Sequence, residues 1–262
     1  EQRSRLDAAR NSTSALPIVT AEDRDAAASR TGTRTWRFRA ENVRDAAWGS
    51  SKAYMLDGAN AAIRQLDGSI NNVLILTAYP SEGVGTPENP GWEEGTRYGR
   101  ASILNNSYWY PYPYPVAISV ASHVGGMEYP MMTIIGGRRP AGTIAHELSH
   151  MWFPMRLGSN EKRYAWQDEG LTPFWTTLCR DDFRDRNTGP KAAVMGVGNA
   201  IGRGNNVVCM RHADTYGTYS FGFASYSKPA AILHQLRGLV GDEKFFSAFR
   251  QYARDWAFKH PY

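Results

Sequence analysis

The sequence has few of the features that mark membrane-spanning or disulfide-rich chains. No apolar run approaches the length of a membrane span, the longest being a few residues such as VLIL, which argues against a transmembrane helix. Only two cysteines occur, Cys179 and Cys209, and two buried thiols are expected rather than one bridge. The first ten residues have no apolar core, so they do not read as a signal peptide, and a start without Met suggests a processed chain or a fragment.

Charge of neither sign is concentrated in blocks. The chain has 30 basic and 25 acidic residues, with a formal net charge of +5, and they are scattered along it. This distribution is typical of a solvated surface, so nucleic acid is not expected as a partner. Hydrophobic residues make up 42% of the 262 positions, enough to bury the core of a globular protein.

Patterns in the first half predict extended structure. Residues 35–40, TWRFRA, alternate aromatic and basic side chains as a half-buried strand would. Residues 72–79, NVLILTAY, form the continuous apolar run of a strand buried on both faces. Residues 122–132, SHVGGMEYPMM, read as one extended segment with Glu128 in its middle. Residues 108–115, YWYPYPYP, are expected to be extended or turned and to pack as buried aromatic structure.

The apolar period becomes helical after residue 140. A first helix is predicted over residues 140–155, and others over residues 168–183, 228–241 and 242–258, with Gly241 separating the last two. The sequence therefore predicts an α+β fold in a single domain over residues 1–262. Its sheet-bearing lobe covers residues 1–157 and ends in the first helix, and its helical lobe covers residues 158–262.

The first predicted helix contains the motif HELSH. His146 and His150 are four residues apart, so on a helix both imidazoles project from one face and can hold one zinc ion. Glu147 is rotated by about 100° from His146, which keeps it off the metal but near an open coordination position. This is the arrangement of a general base that acts on a zinc-bound water.

A catalytic zinc site needs a third protein ligand. Eighteen residues separate His150 from Glu169, which lies in the next helical pattern. Asp168 is its neighbour and could compete, but adjacent residues on a helix point about 100° apart, so only one of them is expected to face the metal. Glu169 has the longer reach.

Four blocks occur in the order found in one family of zinc peptidases. GGMEYP at residues 125–130 resembles its Gly-x-Met-Glu-Asn exopeptidase motif, AHELSHMWF at residues 145–153 its zinc helix, and WQDEGLT at residues 166–172 its third-ligand helix. The stretch that begins YSKP at residue 226 resembles the one that carries the family's catalytic tyrosine. The sequence thus resembles, along most of its length, the gluzincin aminopeptidases that include alanyl aminopeptidase and leukotriene hydrolase. Their catalytic domain is a thermolysin-like zincin.

The resemblance implies a role for each matching position. His146, His150 and Glu169 match the zinc ligands, with one zinc ion per chain, and Glu147 matches the general base. Tyr226 matches the tyrosine that steadies the tetrahedral intermediate. The implied mechanism is hydrolysis of a peptide bond by metal-activated water.

The implied substrate-binding positions are Gly125, Gly126, Met127 and Glu128. In the family, the matching glutamate grips the free α-amino group of the substrate, and the glycines lie along its backbone. The implied partners are therefore peptides with a free N-terminus. The structural alternative for Glu128 is a capping role or an ion pair with Arg138 or Arg139.

The sequence departs from the family in four respects. Tyr129 replaces the family's usual Asn after Glu128, which leaves the carboxylate in place. Thr176 stands where relatives often have an acidic or amide group behind a zinc ligand, which predicts weaker metal binding if nothing else supports the histidines. Pro229 stands where Gly is usual after Tyr-x-Lys. The β-rich domain that usually precedes the catalytic domain, and the helical domain that usually follows it, are not visible. An exposed cleft with relaxed specificity is expected.

Two other functions remain open at this point. One is a thermolysin-like endopeptidase, which Glu128 argues against. The other is a zinc-stabilised module that has lost turnover with its flanking domains. GGMEYP and WAFKHP resemble exported bacterial members of the family, which favours a periplasmic or secreted setting.

Overall fold

The computed structural model describes residues 1–26, 32–33, 35–183 and 187–261. Within this part of the chain, a mixed sheet of six strands has the order β1-β2-β3-β4-β6-β5. The strands are β1 (Leu16–Val19), β2 (Tyr54–Arg64), β3 (Ile70–Pro80), β4 (Val116–Ser122), β5 (Gly126–Tyr129) and β6 (Met132–Gly136). β2 and β3 are antiparallel, whereas β3, β4 and β6 run parallel to one another.

Helices pack against the sheet, and every described element after β6 is helical. They are α1 (Gln2–Ala9), α2 (Ala21–Asp25), α3 (Gly95–Ser107), α4 (Ala141–Ser149), α5 (Trp166–Glu169), α6 (Leu171–Phe183), α7 (Gly189–Gly202), α8 (Thr218–Gly222), α9 (Lys228–Val240) and α10 (Asp242–Trp256). The fold is α+β, as the sequence predicts. Among the described helices, none has both the length and the apolar character needed to cross a bilayer.

Two strand predictions had opposite outcomes. β3 contains the predicted strand at residues 72–79, and its successive residues Val73, Leu74 and Ile75 are all buried. The strand predicted at residues 35–40 is wrong: these residues have no regular secondary structure, and the side chains of Trp36 and Phe38 are 73% and 86% exposed. Alternating side chains favour a strand only where a second strand can pair with it, and no described strand pairs with this segment.

The prediction of one extended segment at residues 122–132 is also wrong. β5 and β6 form a tight antiparallel hairpin, in which Glu128 pairs with Thr133 and Tyr129 with Met132. The chain reverses at Pro130 and at Met131, whose φ is 67°. Proline has no N–H to donate, so a strand ladder stops there. The reversal makes β5 an edge strand of the sheet and places Glu128 on it.

Helix α4 is shorter than predicted. The sequence predicts a helix over residues 140–155, but α4 ends at Ser149. His150 keeps helical backbone angles, with φ −61° and ψ −15°, so it continues the turn that carries His146. Pro154 has no N–H, so it cannot donate the next helical hydrogen bond to the carbonyl oxygen of His150.

The aromatic stretch at residues 108–115 is packed, as predicted. Trp109 is buried and stacks on Trp175 and Phe153, with ring centroids 4.8 Å and 5.3 Å apart. Tyr108 is the exception, since its side chain is 75% exposed. The Trp109 ring thus connects Phe153, which follows α4, to Trp175 on α6.

The later helices match their predictions with one break. Gly170 divides the helix predicted over residues 168–183 into α5 and α6. Gly241, with a φ of 83°, separates α9 from α10 as predicted. Cys179 and Cys209 are both free thiols, as expected, but only Cys179 is fully buried.

Candidate metal centre and active site

The two histidines of α4 turn the same ring nitrogen toward each other. Nε2 of His146 lies 3.2 Å from Nε2 of His150. The side chain of His150 is 1% exposed and that of His146 is 20% exposed, so the pair opens to solvent on one side. The helical spacing of four residues produces this geometry, as the sequence predicts.

Glu169 completes a set of three donors. Its Oε2 lies 3.3 Å from Nε2 of His146 and 3.5 Å from Nε2 of His150. This buried oxygen has no hydrogen-bond partner, and the three donor atoms lie within 4.8 Å of one another. Two imidazole nitrogens and one carboxylate oxygen form a donor set typical of catalytic zinc sites. The residues present therefore fit a zinc ion.

The protonation of these groups also suits a metal. Burial lowers the pKa of His146, which favours the neutral imidazole that a metal requires. Burial opposes ionisation of Glu169, but the adjacent imidazole of His146 and the charge of His150 outweigh this and lower the pKa of the carboxyl group. The carboxylate is therefore present in its anionic form.

Asp168 faces the other side of His150. Its Oδ1 lies 2.7 Å from Nδ1 of His150, and the carbonyl oxygen of Phe153 lies 2.8 Å from the same nitrogen. Burial alone would lower the pKa of His150, but neighbouring carboxylates, Asp168 first, raise it. Asp168 is thus placed to orient the imidazole rather than to compete with Glu169.

Thr176 does not hydrogen-bond to the two histidines; the side chains that lie behind His150 are those of Thr172 and Asp168. Oγ1 of Thr176 donates to the backbone oxygen of Thr172, whereas Oγ1 of Thr172 lies 3.2 Å from Nδ1 of His150. Asp168 and Thr172 are the supporting residues that the sequence patterns did not identify. The only available signal was the acidic pair Asp168–Glu169.

Glu147 lies beside the metal donors and is buried. Its side chain belongs to a second close group with Glu128 and His150, within 4.8 Å. Burial raises the pKa of Glu147 to about 8. A Cβ at Gly126 would collide with the Glu147 carboxylate, so the glycine of β5 makes room for it. Gly125 has no such neighbour, since a Cβ there would meet nothing within 4 Å.

Glu128 points from β5 toward the same centre. The residue is 7% exposed, and its Oε2 lies 4.0 Å from Nε2 of His150. Burial raises its pKa. The alternative ion pairs are not formed, because Arg138 donates to the backbone oxygen of Glu82 and Arg139 to Oδ1 of Asn89. Met127, its neighbour on β5, is 37% exposed at the rim.

Tyr226 lies over His146. The two rings stack with centroids 6.0 Å apart and an interplanar angle of 10°, and the Glu169 carboxylate is close enough to raise the pKa of the Tyr226 hydroxyl further. Burial raises the pKa of Tyr226, so its phenol stays neutral and can donate a hydrogen bond. The residue lies in a π-helical turn, Phe223–Ser227, between α8 and α9. Such turns are frequent at functional sites.

A close contact with the Pro229 side chain lies directly after Glu169. A Cβ at Gly170, directly after Glu169, would lie 2.5 Å from Cγ of Pro229 at the start of α9. The glycine therefore allows α5 and α9 to touch. Pro229 fits the first turn of α9, where no N–H is needed.

The centre opens into a cleft of about 950 Å³. His146 and Tyr226 form part of its wall, and Thr143 and Arg139 line it farther away. All the residues expected at the site except Gly125 and Met127 are thereby brought around His146 and His150.

Comparison with known proteins agrees with this geometry. Leukotriene A-4 hydrolase of Xenopus laevis is 29% identical over 151 residues, and leucine aminopeptidase 2-1 of Meyerozyma guilliermondii is 24% identical over 151 residues. Both matches cover 52% of this chain and 25% of the relative, so the chain spans about a quarter of the length of these curated relatives.

Solved structures share the fold. An M1 zinc metallopeptidase from Deinococcus radiodurans superposes with a TM-score of 0.59 at 21% identity, covering 79% of this chain and 46% of that one. Yeast LTA4 hydrolase gives a TM-score of 0.53 at 17% identity, covering 78% and 34%. The family model described as the peptidase family M1 domain matches residues 99–261. This match spans more than half of the sequence, and the chain therefore belongs to peptidase family M1.

Proposed function

We propose that this chain is the catalytic part of a zinc-dependent aminopeptidase, with residues 1–262 acting as one unit. Its substrates are peptides with a free N-terminus. The observation that carries the proposal is the position of Glu128, a buried carboxylate on an edge strand, 4.0 Å from the same His150 nitrogen that faces the other metal donors. A buried carboxylate without a hydrogen-bond donor favours a cationic ligand.

His146, His150 and Glu169 are the residues that would hold one zinc ion. When bound, the ion supplies a Lewis acid, which polarises the scissile carbonyl and lowers the pKa of water. Glu147 accepts the proton of the attacking water and returns it to the leaving amine. A pKa raised to about 8 suits a carboxylate that takes and releases a proton near neutral pH.

Tyr226 and Glu128 bind two different parts of the substrate, the scissile carbonyl oxygen and the α-ammonium group. The neutral Tyr226 phenol donates a hydrogen bond to the carbonyl oxygen as negative charge develops on it. The Glu128 carboxylate binds the α-ammonium group of the substrate through charge-assisted hydrogen bonds. With the ammonium held there, only the first peptide bond reaches the Glu147 carboxylate.

The test compares free and blocked substrates with the zinc-loaded chain. We expect release of p-nitroaniline from alanyl p-nitroanilide, cleavage of Ala-Ala-Ala amide from its N-terminus, and no cleavage of the N-acetylated peptide. One zinc per chain is expected by metal analysis. Equal cleavage of free and acetylated peptides would instead establish an endopeptidase. Zinc binding without turnover, unchanged by Glu147→Gln, would establish a non-catalytic module.

A further inference from the structure

The cleft lies on one side of the metal donors, and Glu128 lies on the other. Oε2 of Glu128 is 4.0 Å from Nε2 of His150, whereas His146 and Tyr226 form part of the cleft wall. A peptide held at Glu128 by its α-ammonium group therefore passes the donors and enters the cleft with the part that follows its first peptide bond. Side chains that line the cleft beyond His146 thus face the leaving part of the substrate.

Two arginines line this cleft, Arg139 and Arg180. Arg139 lies just before α4, Arg180 lies on α6, and both residues are exposed. The carboxylates of Glu128 and Glu147 lie together at the metal end. The site therefore runs from negative charge at the metal end to positive charge in the cleft. A peptide that has an ammonium group first and a carboxylate shortly after it matches this order.

The guanidinium of Arg139 is oriented by a neutral group. Among the described residues, its side chain pairs with an amide, since Nη2 donates to Oδ1 of Asn89 at 3.0 Å. Asn89 also lines the cleft. A guanidinium has five N–H donors, and this bond uses one of them without cancelling the charge. Arg139 therefore has donors to offer to an anion in the cleft.

Arg180 reaches the same cleft from α6. Its Nε and Cζ lie 3.6 Å and 3.7 Å from the position that a Cβ on Gly142 would take, so the guanidinium packs on the Gly142 backbone. Gly142 lies on α4, four residues before His146. Positions four residues apart lie on the same face of a helix, with about 5–6 Å between their Cβ atoms. The Arg180 guanidinium thus lies over the helical turn that precedes a metal donor.

One carboxylate lies on the same wall. Glu88 lines the cleft next to Asn89 and is exposed, so water and salt screen its charge. It contributes one negative charge against the two positive charges of Arg139 and Arg180. The cleft wall therefore has a net positive charge.

We propose that Arg139 and Arg180 bind a carboxylate on the leaving part of the peptide, supplied by an acidic side chain or by the C-terminus of a short peptide. This inference rests on the aminopeptidase function proposed above. An extended peptide advances about 3.3–3.6 Å per residue, so the first or second residue after the cleaved bond reaches the turn at Gly142. Arginine and carboxylate form charge-assisted, often bidentate hydrogen bonds. The two arginines thereby make the chain select peptides that carry negative charge close to the N-terminus.

The first test compares two substrates of equal size. We expect kcat/KM for release of alanine to be about tenfold higher for Ala-Glu amide than for Ala-Gln amide with the zinc-loaded wild type. Arg139→Gln and Arg180→Gln should each bring this ratio closer to one. Arg138→Gln is the matched control and should keep the wild-type ratio, because Arg138 donates to the backbone oxygen of Glu82 instead of lining the cleft.

A second pair of substrates separates the two sources of the carboxylate. Ala-Ala has a free C-terminus and Ala-Ala amide does not, and neither has an acidic side chain. A preference for Ala-Ala that falls in the two arginine variants would assign the C-terminus as the ligand, whereas a preference confined to Ala-Glu amide would assign the side chain. No preference for the charged member of either pair would overturn the proposal. So would a preference that survives both substitutions.

Charge reversal separates binding from a structural role of Arg180. Arg180→Glu should reverse the order of two substrates, so that Ala-Lys amide is cleaved with a higher kcat/KM than Ala-Glu amide. If Arg180 only supports α4, the rates for both substrates should fall together and their ratio should stay at the wild-type value. That result would overturn the proposal.

Ala-Gln amide distinguishes failure of this inference from failure of the proposed function. If the wild type releases no alanine from any of these peptides, the aminopeptidase function itself is wrong. If it releases alanine from Ala-Gln amide at the same kcat/KM as from Ala-Glu amide, and from Ala-Ala at the same kcat/KM as from Ala-Ala amide, only the role of the two arginines is wrong.

Discussion

Asp168 and His150 meet at 2.7 Å, Oδ1 to Nδ1, through the ring nitrogen that is not turned toward His146. A metal-binding histidine usually donates its second N–H to such a carboxylate, which fixes its tautomer and raises its basicity. The contact assigns to Asp168 the supporting role that the sequence left without a residue.

The first prediction concerns this contact. Asp168→Asn should weaken zinc binding about 10- to 100-fold, because the imidazole loses the carboxyl group that lies 2.7 Å from its Nδ1. Competition with a chromophoric chelator measures the affinity. Thr176→Val is the comparison, since Thr176 bonds only to the backbone of its own helix, and it should retain the wild-type affinity. Equal losses in the two variants would contradict the assignment.

The second prediction concerns Gly126, the glycine next to the Glu147 carboxylate. Gly126→Ala should lower kcat by roughly tenfold or more, because its Cβ displaces the Glu147 carboxylate from its position. Gly125→Ala, at a position with open space, should cause a much smaller loss. Single-turnover rates at saturating substrate report this step. The reverse order of the two losses would show that the glycines act on the substrate backbone instead.

The third prediction concerns Tyr226. Tyr226→Phe removes the hydroxyl and should lower kcat about 10²- to 10³-fold while zinc content stays the same. Tyr219→Phe, four residues before the π-helical turn and 75% exposed, is the control. A wild-type kcat in Tyr226→Phe would contradict the proposal that the Tyr226 hydroxyl donates to the carbonyl oxygen.

The fourth prediction concerns pH and the zinc-free chain. Burial raises the pKa of Glu147 from 4.5 to about 8, so the folded chain holds a proton that the unfolded chain releases between these values. Its contribution to stability is complete below about pH 4.5 and is lost as the pH rises through about 8. The slope is at most about 1.4 kcal/mol per pH unit.

Urea unfolding between pH 5 and pH 8 checks this prediction. The free energy of unfolding should fall more steeply with pH in the wild type than in Glu147→Gln, which has no proton to lose. Parallel pH profiles would show that Glu147 titrates normally in the folded chain.

The sequence could predict the residues whose positions follow from a regular period. His146 and His150 face one another because His150 keeps the helical backbone angles of the turn that carries His146, and Glu169 reaches them from the next helix. The hairpin of β5 and β6 was missed because the apolar character of residues 122–132 outweighed the proline at position 130. The exposed Trp36 shows the opposite case: the alternation over residues 35–40 predicts a strand, but no described strand pairs with it.

Contacts made by irregular backbone could not be predicted in this way. Asp168 reaches His150 from α5, a helix of only four residues, and Glu161 lies near Glu128 and Asp168 although its segment has no regular secondary structure. No sequence period relates Glu161 to Glu128, which lies on a strand. Such pairs depend on the three-dimensional course of the chain.

The close approach of Gly170 and Pro229 links the end of α5, which carries Glu169, to the start of α9, which follows Tyr226. Gly170 follows Glu169 directly, and the ring of Pro229, three residues after Tyr226, packs on it so closely that not even a methyl group would fit between them. The absence of a side chain at position 170 is thus what allows the end of α5 and the start of α9 to lie against each other.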